Sequence, residues 1–201
     1  MIDVNARKRL GRFSLDASLT GEGFICLTGV NGSGKSSLMR VIAGTLPLDA
    51  GHVKVDGIDI TDAPIEKRGV VMVTPNSLIP HLSVEAHLTW GARTKNLALS
   101  SERVSTVREA LGIDFGGRAS ELSLGMRERV SLATALLSAP RVILVDEAFS
   151  NIHDRGAFIA VYRKLASEEK IDVIFSTQDR SDGAASDNLY QMSDGVAQRL
   201  V

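Results

Sequence analysis

Eight consecutive residues carry the strongest chemical signal in the sequence. Residues 29–36 read Gly-Val-Asn-Gly-Ser-Gly-Lys-Ser and match the phosphate-binding pattern Gly-x-x-x-x-Gly-Lys-[Ser/Thr] at every fixed position. Glycines in this pattern let backbone N–H groups converge on phosphate oxygens, while the lysine contacts the β- and γ-phosphates and the hydroxyl ligates Mg²⁺. The sequence therefore predicts a nucleoside triphosphate site formed by Gly29, Asn31, Gly32, Ser33, Gly34, Lys35, Ser36 and Ser37.

A pair of acidic residues gives the second signal. Asp146 and Glu147 follow the apolar run 141–145, which is typical of a buried strand. An aspartate at such a strand end can hold Mg²⁺, and a glutamate directly after it can act as the general base for an attacking water. The alternative is a strand that ends in a solvated acidic pair. The phosphate loop earlier in the chain favours the metal ligand Asp146, shared with Ser36, and the catalytic base Glu147.

The flanking elements must position these groups. The short apolar run Phe24–Thr28 precedes the loop and predicts a strand, while Leu38, Val41 and Ile42 have helical spacing after it. A helix that starts at the loop adds the positive end of its dipole to the phosphate site. Strand, glycine loop and helix in this order favour a phosphate site over a chance glycine turn beside a surface lysine.

Strand-like and helical runs alternate along most of the chain, which predicts an α/β sheet with helices on its faces. We expect strands at Phe13–Leu19, Phe24–Thr28, His52–Val55, Gly69–Val73, Arg141–Val145 and Asp172–Ser176.

The region from about residue 83 to 138 breaks the alternation and predicts helices only, with Ser83 and Ser101 as N-caps. Val104, Val107 and Leu111 share one face of the second helix. A hairpin is expected to turn at residues 194–195, which read Asp-Gly.

Composition narrows the class of protein. The 201 residues are 44% hydrophobic and 23% charged with a net charge of −1, which is typical of one globular domain over 1–201 and gives no reason to expect nucleic acid binding. No apolar run approaches the roughly 20 residues that span a bilayer. Met1–Asn5 lacks the pattern of a signal peptide, so we expect a cytoplasmic protein. The single cysteine, Cys26, is interpreted as a buried structural thiol.

Residues 121–130 add a third motif. Read alone, the segment predicts a helix start with Ser123 as N-cap and two arginines on a solvated face. Together with the other motifs it resembles the signature sequence of ABC-type ATPases, Leu-Ser-Gly-Gly-Gln. Leu122, Ser123 and Gly125 match it, whereas Leu124 and Met126 depart from it. The resemblance implies the ABC-type P-loop NTPase fold, with a helical subdomain at about 83–138 inserted between sheet strands. It also implies a head-to-tail homo- or heterodimer, in which Ser123 and Gly125 complete the γ-phosphate site of the partner subunit.

The resemblance extends over nearly the whole chain. Residues 149–153 are similar to the loop after the catalytic glutamate, and residues 175–179 are similar to the family's switch segment. The amino-terminal residues 8–16 most resemble the molybdate/tungstate importer branch. The implied function is the ATP-binding and ATP-hydrolysing subunit of an ABC importer of small anions. It would energise integral membrane permease subunits through the segment around 74–90, at the inner face of the membrane. Trp90 within that segment is interpreted as a core residue, with a partner contact as the alternative.

Four accessory positions depart from the family pattern. Leu10 stands at the adenine-stacking aromatic, Thr74 or Pro75 at the loop glutamine, His153 at the aspartate of the loop after the base, and Gln178 at the catalytic switch histidine. Because the phosphate loop, Asp146, Glu147 and Ser123 are retained, we expect an ATP-binding dimer with slowed hydrolysis. Without an aromatic platform, ATP and GTP should bind within about tenfold of each other. A non-catalytic ATP-binding partner in a heteromeric ABC complex and a soluble non-transport ABC ATPase remain alternatives.

Overall fold

Residues 1–200, which the computed structural model describes, form two β-sheets with helices packed between and beside them. The strands are β1 (Ile2–Leu10), β2 (Phe13–Gly21), β3 (Phe24–Thr28), β4 (Ala50–Val55), β5 (Ile58–Asp59), β6 (Val70–Val73), β7 (Val142–Asp146), β8 (Asp172–Thr177), β9 (Asn188–Ser193) and β10 (Val196–Arg199). The α-helices are α1 (Lys35–Ala43), α2 (Val84–Thr94), α3 (Ser101–Ala110), α4 (Leu124–Leu137) and α5 (Arg155–Glu168). Short 3₁₀ helices cover Ile65–Lys67, Ala119–Glu121 and Arg180–Ala185.

The larger sheet positions the chemistry. Its six strands lie in the order β10-β9-β3-β8-β7-β6, and β3 pairs in parallel with both β8 and β9. All five residues of β3 and the first four of β7 are buried, as expected for a parallel sheet covered on both faces. Because the strands are parallel, the carboxyl ends of β3, β7 and β8 meet at one edge. The six strands predicted from the sequence are all present, and no predicted bound differs from the observed one by more than two residues.

The four-stranded antiparallel sheet, in the order β2-β1-β4-β5, contains a strand that the sequence interpretation missed. In β1 the apolar residues Ile2, Val4 and Ala6 alternate with polar ones and are buried against α1 and the larger sheet. The alternation was a usable signal, but Ala6 is small and four of the nine residues are charged. The pairing of β1 with β4 then fixes a strand that its own composition favours only weakly.

Three α-helices, α2 to α4, occupy the chain between β6 and β7, as the absence of strand patterns predicted. Ser83 and Ser123 cap α2 and α4 through their side-chain oxygens, which confirms both N-caps. The predicted cap Ser101 is wrong by one position. Ser100 adopts the extended conformation and accepts the N–H of Arg103, so Ser101 becomes the first helical residue. Val107 and Leu111 are fully buried on the predicted face of α3.

The β9–β10 hairpin turns at Asp194 and Gly195, both with positive φ, as predicted. The turn is joined to the phosphate loop, because the Gly195 N–H donates to the Ser33 carbonyl at 2.9 Å. The Gly195 carbonyl in turn accepts the N–H of Asp16 at 2.9 Å. The hairpin turn therefore links the phosphate loop to β2.

Two further sequence predictions concern Cys26 and membrane-spanning segments. Cys26 is buried in β3, and burial raises the pKa of its thiol to about 12, which makes it an inert structural side chain. Across residues 1–200, none of the helices has the length and apolar character needed to cross a membrane.

Candidate functional site

The phosphate loop links the buried end of β3 to the first turn of α1. Gly34 has φ 109°, a left-handed conformation that favours glycine, and an added Cβ would lie 3.0 Å from Cζ of Phe13. At Gly29 (φ 150°) a Cβ would collide with the Met192 carbonyl. Asn31 and Gly32 are exposed at the tip of the loop, whereas Ser33 is buried beneath it. The start of α1 leaves the amides of the first helical turn without partners inside the helix, so they are available to an anion.

Lys35 is held by its own loop. Its ammonium donates to the carbonyls of Gly29 (2.7 Å) and Val30 (3.0 Å), and the residue is only 4% exposed. Desolvation lowers the pKa of Lys35, while the nearby carboxylates of Glu147 and Asp146 oppose that shift. The structure thus keeps a partly desolvated cation at the mouth of the phosphate loop.

Asp146 joins two strands and the phosphate loop. Its Oδ1 accepts the hydroxyl of Ser36 at 3.1 Å and the hydroxyl of Ser176 at 2.7 Å. The N–H of Glu147 donates to Ser176 Oγ at 3.0 Å. The sequence interpretation did not single out Ser176. Its signal was indirect, because Ser176 lies opposite Asp146 in the pairing of β8 with β7.

Glu147 and Gln178 face each other just beyond the ends of β7 and β8. Gln178 Nε2 donates to Glu147 Oε1 at 3.4 Å. Glu147 has φ 57°, an uncommon conformation for a residue with a side chain. A cavity of about 270 Å³ lies beside the pair and is lined by both of them together with Phe149, Arg155 and Asp182.

Ser123 and Gly125 lie apart from this cluster. Ser123 Oγ accepts the N–H of Met126 at 3.3 Å, and no hydrogen bond within residues 1–200 joins either residue to the phosphate loop. A Cβ at Gly125 would lie 2.5 Å from the Asn151 carbonyl, so the start of α4 packs tightly on the loop after Glu147. The motif read alone placed Arg127 and Arg129 on a solvated face. In the structure both side chains instead form hydrogen bonds that hold α4 in place. Arg127 donates to the Leu122 and Ser120 carbonyls, and Arg129 donates to the Leu111 carbonyl.

The position expected to stack on a base carries no aromatic ring. Leu10 ends β1 and pairs across the β1–β2 turn with Phe13. The ring of Phe13 packs beside Gly34 and on the core that α1 shares with the two sheets. Phe13 therefore lies on the sheet, as expected.

The loop after β6 lacks the glutamine of the family pattern. Hydrogen bonds fix its conformation. The N–H of Thr74 donates to Ser77 Oγ at 2.8 Å, and the N–H of Ile79 donates to His87 Nε2 at 3.1 Å. His87 is 2% exposed, and its Nδ1 lies 2.8 Å from Thr134 Oγ1. Because Nε2 accepts a hydrogen bond, the ring is neutral, and burial lowers its pKa further. His87 thus fixes the loop to α2 and α4.

Trp90 is 46% exposed on α2, which contradicts its interpretation as a core residue. The helix presents Val84, Leu88 and Ala92 to the core, whereas Trp90 falls on the neighbouring face and stays half-exposed. There the ring borders a largely apolar groove of about 280 Å³ between the larger sheet and the helical region, lined also by Val71, Val73, Ile79 and Ala135.

The sequence of the chain is similar to those of known ATP-binding proteins of transporters. A family model described as "ABC transporter" matches residues 14–150. The molybdate/tungstate import ATP-binding protein WtpC of Archaeoglobus fulgidus is 35% identical over 189 residues, which cover 91% of this chain and 79% of that protein. The molybdenum import ATP-binding protein ModC of Rhizobium meliloti is 38% identical over 186 residues, 87% of this chain and 52% of that protein. The chain thus spans about half the length of the rhizobial relative.

Solved structures share the architecture. The dimeric structure of an ATP-binding cassette in a post-hydrolysis state with ADP and Pi superposes with a TM-score of 0.82 at 21% identity, covering 99% of this chain and 97% of that one. At this identity the match establishes the fold, including the expected ABC-type arrangement of a nucleotide-binding sheet and added helices.

Proposed function

Because the chain belongs to the ABC transporter family of ATP-binding proteins, we propose that it binds and hydrolyses ATP to energise separate membrane subunits of an importer. One observation carries the proposal. Lys35, the Ser36–Asp146 pair and Glu147 converge at the carboxyl edge of the larger sheet, although they come from two distant parts of the chain. A phosphate cradle, a polar pair suited to a metal ion and a carboxylate base therefore share one site.

The triphosphate would be bound by the loop from Gly29 to Ser37. Lys35 Nζ, now held by the Gly29 and Val30 carbonyls, would exchange these neutral acceptors for charged phosphate oxygens, which form stronger hydrogen bonds. The amides at the start of α1 would bind phosphate oxygens with the help of the helix dipole. This placement favours Gly29, Asn31, Gly32, Ser33, Gly34 and Ser37 as the remaining binding positions.

A magnesium ion fits the residues present. Ser36 Oγ and Asp146 Oδ1 lie 3.1 Å apart and offer one hydroxyl and one carboxylate. Residues 1–200 hold no cluster of three or more His, Cys, Asp or Glu side chains that would form a complete metal cage. Mg²⁺ commonly takes one or two protein ligands and completes its shell with water and substrate phosphates. When bound, the ion neutralises charge on the phosphates.

Hydrolysis would depend on Glu147 and Gln178. We assign Glu147 as the base that accepts a proton from the attacking water, and Gln178 as the group that orients Glu147 through its amide donor. Gln178 keeps the reach of a switch histidine but does not titrate near neutral pH. This difference supports a slow intrinsic rate.

The site would be completed by a second ATPase subunit, identical or different, in head-to-tail orientation. Within residues 1–200, Ser123 and Gly125 at the start of α4 form no hydrogen bond to the phosphate loop, so they would be available to contact a γ-phosphate in trans. Leu124 between them is 58% exposed, consistent with a surface that another subunit covers.

Membrane permease subunits would dock in the groove beside Trp90. Its walls are largely apolar, and its floor includes Ile79 of the loop that leads from β6 to α2. An apolar segment seated there would be connected to the nucleotide edge through β6 and β7. Binding at this groove would place the subunit on the inner face of the membrane.

The transported solute is proposed to be molybdate, tungstate or a similar small oxyanion, because the Archaeoglobus relative is a molybdate/tungstate import ATP-binding protein and the Rhizobium relative is a molybdenum import ATP-binding protein. Solute choice would belong to the membrane subunits and any solute receptor.

Phosphate release from Mg-ATP by the purified chain tests the proposed function. The parent should release phosphate above a Glu147→Gln variant, whereas Glu168→Gln, an exposed position on α5, should match the parent. ATP binding without any release above Glu147→Gln would identify the chain as a non-catalytic partner instead.

A further inference from the structure

An arginine at the start of α5 binds two carboxylates beside the candidate site. Arg155 Nε donates to Asp182 Oδ1, and its Nη2 donates to Asp179 Oδ2, both at 2.9 Å. The side chain of Asp182 is only 7% exposed, whereas that of Asp179 is 50% exposed. One guanidinium therefore joins α5 to two points of the segment that follows β8.

Both carboxylate residues are also joined to Thr177, the last residue of β8. The Thr177 hydroxyl donates to Asp182 Oδ2 at 2.5 Å, and Thr177 Oγ1 accepts the backbone N–H of Asp179 at 3.0 Å. Gln178 lies between Thr177 and Asp179 in the chain. The residues on both sides of Gln178 therefore belong to one network of hydrogen bonds that includes Arg155.

The side chain of Gln178 is weakly held by comparison. The residue is exposed, and its contact with Glu147 Oε1 is long, at 3.4 Å. A hydrogen bond of this length is too weak to fix the amide by itself. The position of the amide relative to Glu147 is therefore set by the backbone of residues 177–179, which the network around Arg155 fixes.

We propose that Arg155 is a positioning residue for hydrolysis, which holds residues 177–179 so that Gln178 reaches the base Glu147 of the same subunit. The inference rests on the proposed function. Arginine suits this task because its planar guanidinium donates in fixed directions to two carboxylates, whereas the ammonium of lysine is a single point charge. Arg155 needs no contact with the nucleotide, because it acts through Gln178.

The same helix offers a matched control. Arg163 on α5 forms an ion pair with Asp187, so it also joins α5 to the segment between β8 and β9. Asp187 lies at the opposite end of that segment from Gln178 and accepts the N–H of Phe24 at the amino end of β3. A general role of such ion pairs in stability would make the two arginines equivalent, whereas the proposed role is specific to Arg155.

A double-mutant cycle of Arg155→Ala and Gln178→Ala tests the inference, with kcat measured at saturating Mg-ATP and ATP affinity measured by titration. Arg155→Ala should lower kcat about tenfold, less than the about 10²-fold that a 1 Å misplacement can cost, with ATP affinity unchanged. In a chain that already carries Gln178→Ala, adding Arg155→Ala should lower kcat by less than about twofold, because the two residues act as one unit. Arg155→Lys should keep part of the rate, and Arg163→Ala should match the parent.

Asp179→Asn tests the same link with a smaller change. The asparagine keeps an oxygen for the Ser181 N–H, but its amide replaces the oxygen that Arg155 contacts. We expect kcat to fall about threefold, and this loss should also disappear in the Gln178→Ala background. If Arg155→Ala fails to fold, this variant decides the case.

Equal losses of kcat in the parent and in the Gln178→Ala background would overturn the inference, because Arg155 would then act on stability alone. A parent-like kcat for Arg155→Ala or for Asp179→Asn would overturn it as well, and so would an equal loss in Arg163→Ala. A parent that releases no phosphate above Glu147→Gln refutes the proposed function instead.

Discussion

The nucleotide edge and the groove beside α2 are built in opposite ways. At the nucleotide edge, Lys35, Ser36 and Asp146 all have partners within the chain and sit on or beside buried strands. Beside α2, an exposed tryptophan borders an apolar groove that no other element of the described chain covers.

The difference matches the two roles that we propose for these regions, which are ATP hydrolysis at the nucleotide edge and contact with membrane subunits at the groove. Groups that must be aligned within tenths of an ångström are fixed by strand ends and by one another. The groove, where we propose that membrane subunits dock, is apolar and exposed, and His87 fixes the loop that borders it. Substitutions at the edge should therefore act without any partner, whereas substitutions at the groove should act only in its presence.

Glu147→Gln should give the largest effect and should appear in the isolated chain. Losing the base should lower the hydrolysis rate by about 10²–10⁴-fold, the usual contribution of a positioned acid–base group. Both nucleotides would stay bound, so size-exclusion chromatography with Mg-ATP should show a shift from monomer to dimer. If the shift persists in Glu147→Gln/Ser123→Arg, Ser123 does not act in trans.

Lys35→Ala should weaken ATP binding by a factor of about 10–150, because a hydrogen bond to a charged group contributes about 1.5–3 kcal/mol. Nucleotide titration by calorimetry measures the change. Lys164→Ala, an exposed lysine on α5, is the control and should bind as the parent does. Equal affinities in the two variants would refute the assignment of the phosphate loop.

Gln178→His should raise kcat by about tenfold with little change in ATP affinity, because a titratable group would act mainly on the transition state. Steady-state phosphate release at saturating Mg-ATP compares the variant with the parent and with Gln191→His, an exposed position on β9. An equal or lower rate would shift attention to the loop that begins at Thr74.

Trp90→Ala should give the smallest effect, and only with the permease present. We expect the permease-stimulated rate to fall by about fivefold, as for an interface side chain worth 1 kcal/mol, with the rate of the isolated chain unchanged. Leu97→Ala removes another exposed apolar side chain outside the groove and should leave both rates alone. A loss of activity in the isolated Trp90→Ala chain would contradict the separation of the two regions.

The sequence was most informative where chemistry demands fixed residue types at fixed spacing. The phosphate loop and the pair Asp146–Glu147 were recognisable because each motif lies within a few residues of one strand, and the structure brings them together. Their roles remain predictions.

The sequence was least informative where a residue's meaning depends on a distant partner. Glu128 on α4 was not singled out from the sequence, because its hydrogen-bond partner Asn151 lies 23 residues further along the chain. Trp90 was misjudged for a similar reason. Apolar character favours burial, and only the packing of α2 shows which of its faces is left uncovered. Strand β1 likewise depends on its pairing with β4.

The support of the phosphate loop by Gly195 has a consequence for protein synthesis. The loop and α1 leave the ribosome early, but β3 gains its neighbours β8 and β9, and Ser33 gains its hydrogen bond from Gly195, only after about 150 further residues have been added at roughly 5–20 residues per second. A nascent chain that ends before β8 carries the nucleotide motif without the sheet that shapes it. ATP should therefore begin to stabilise the chain only after β8 and β9 have been synthesised.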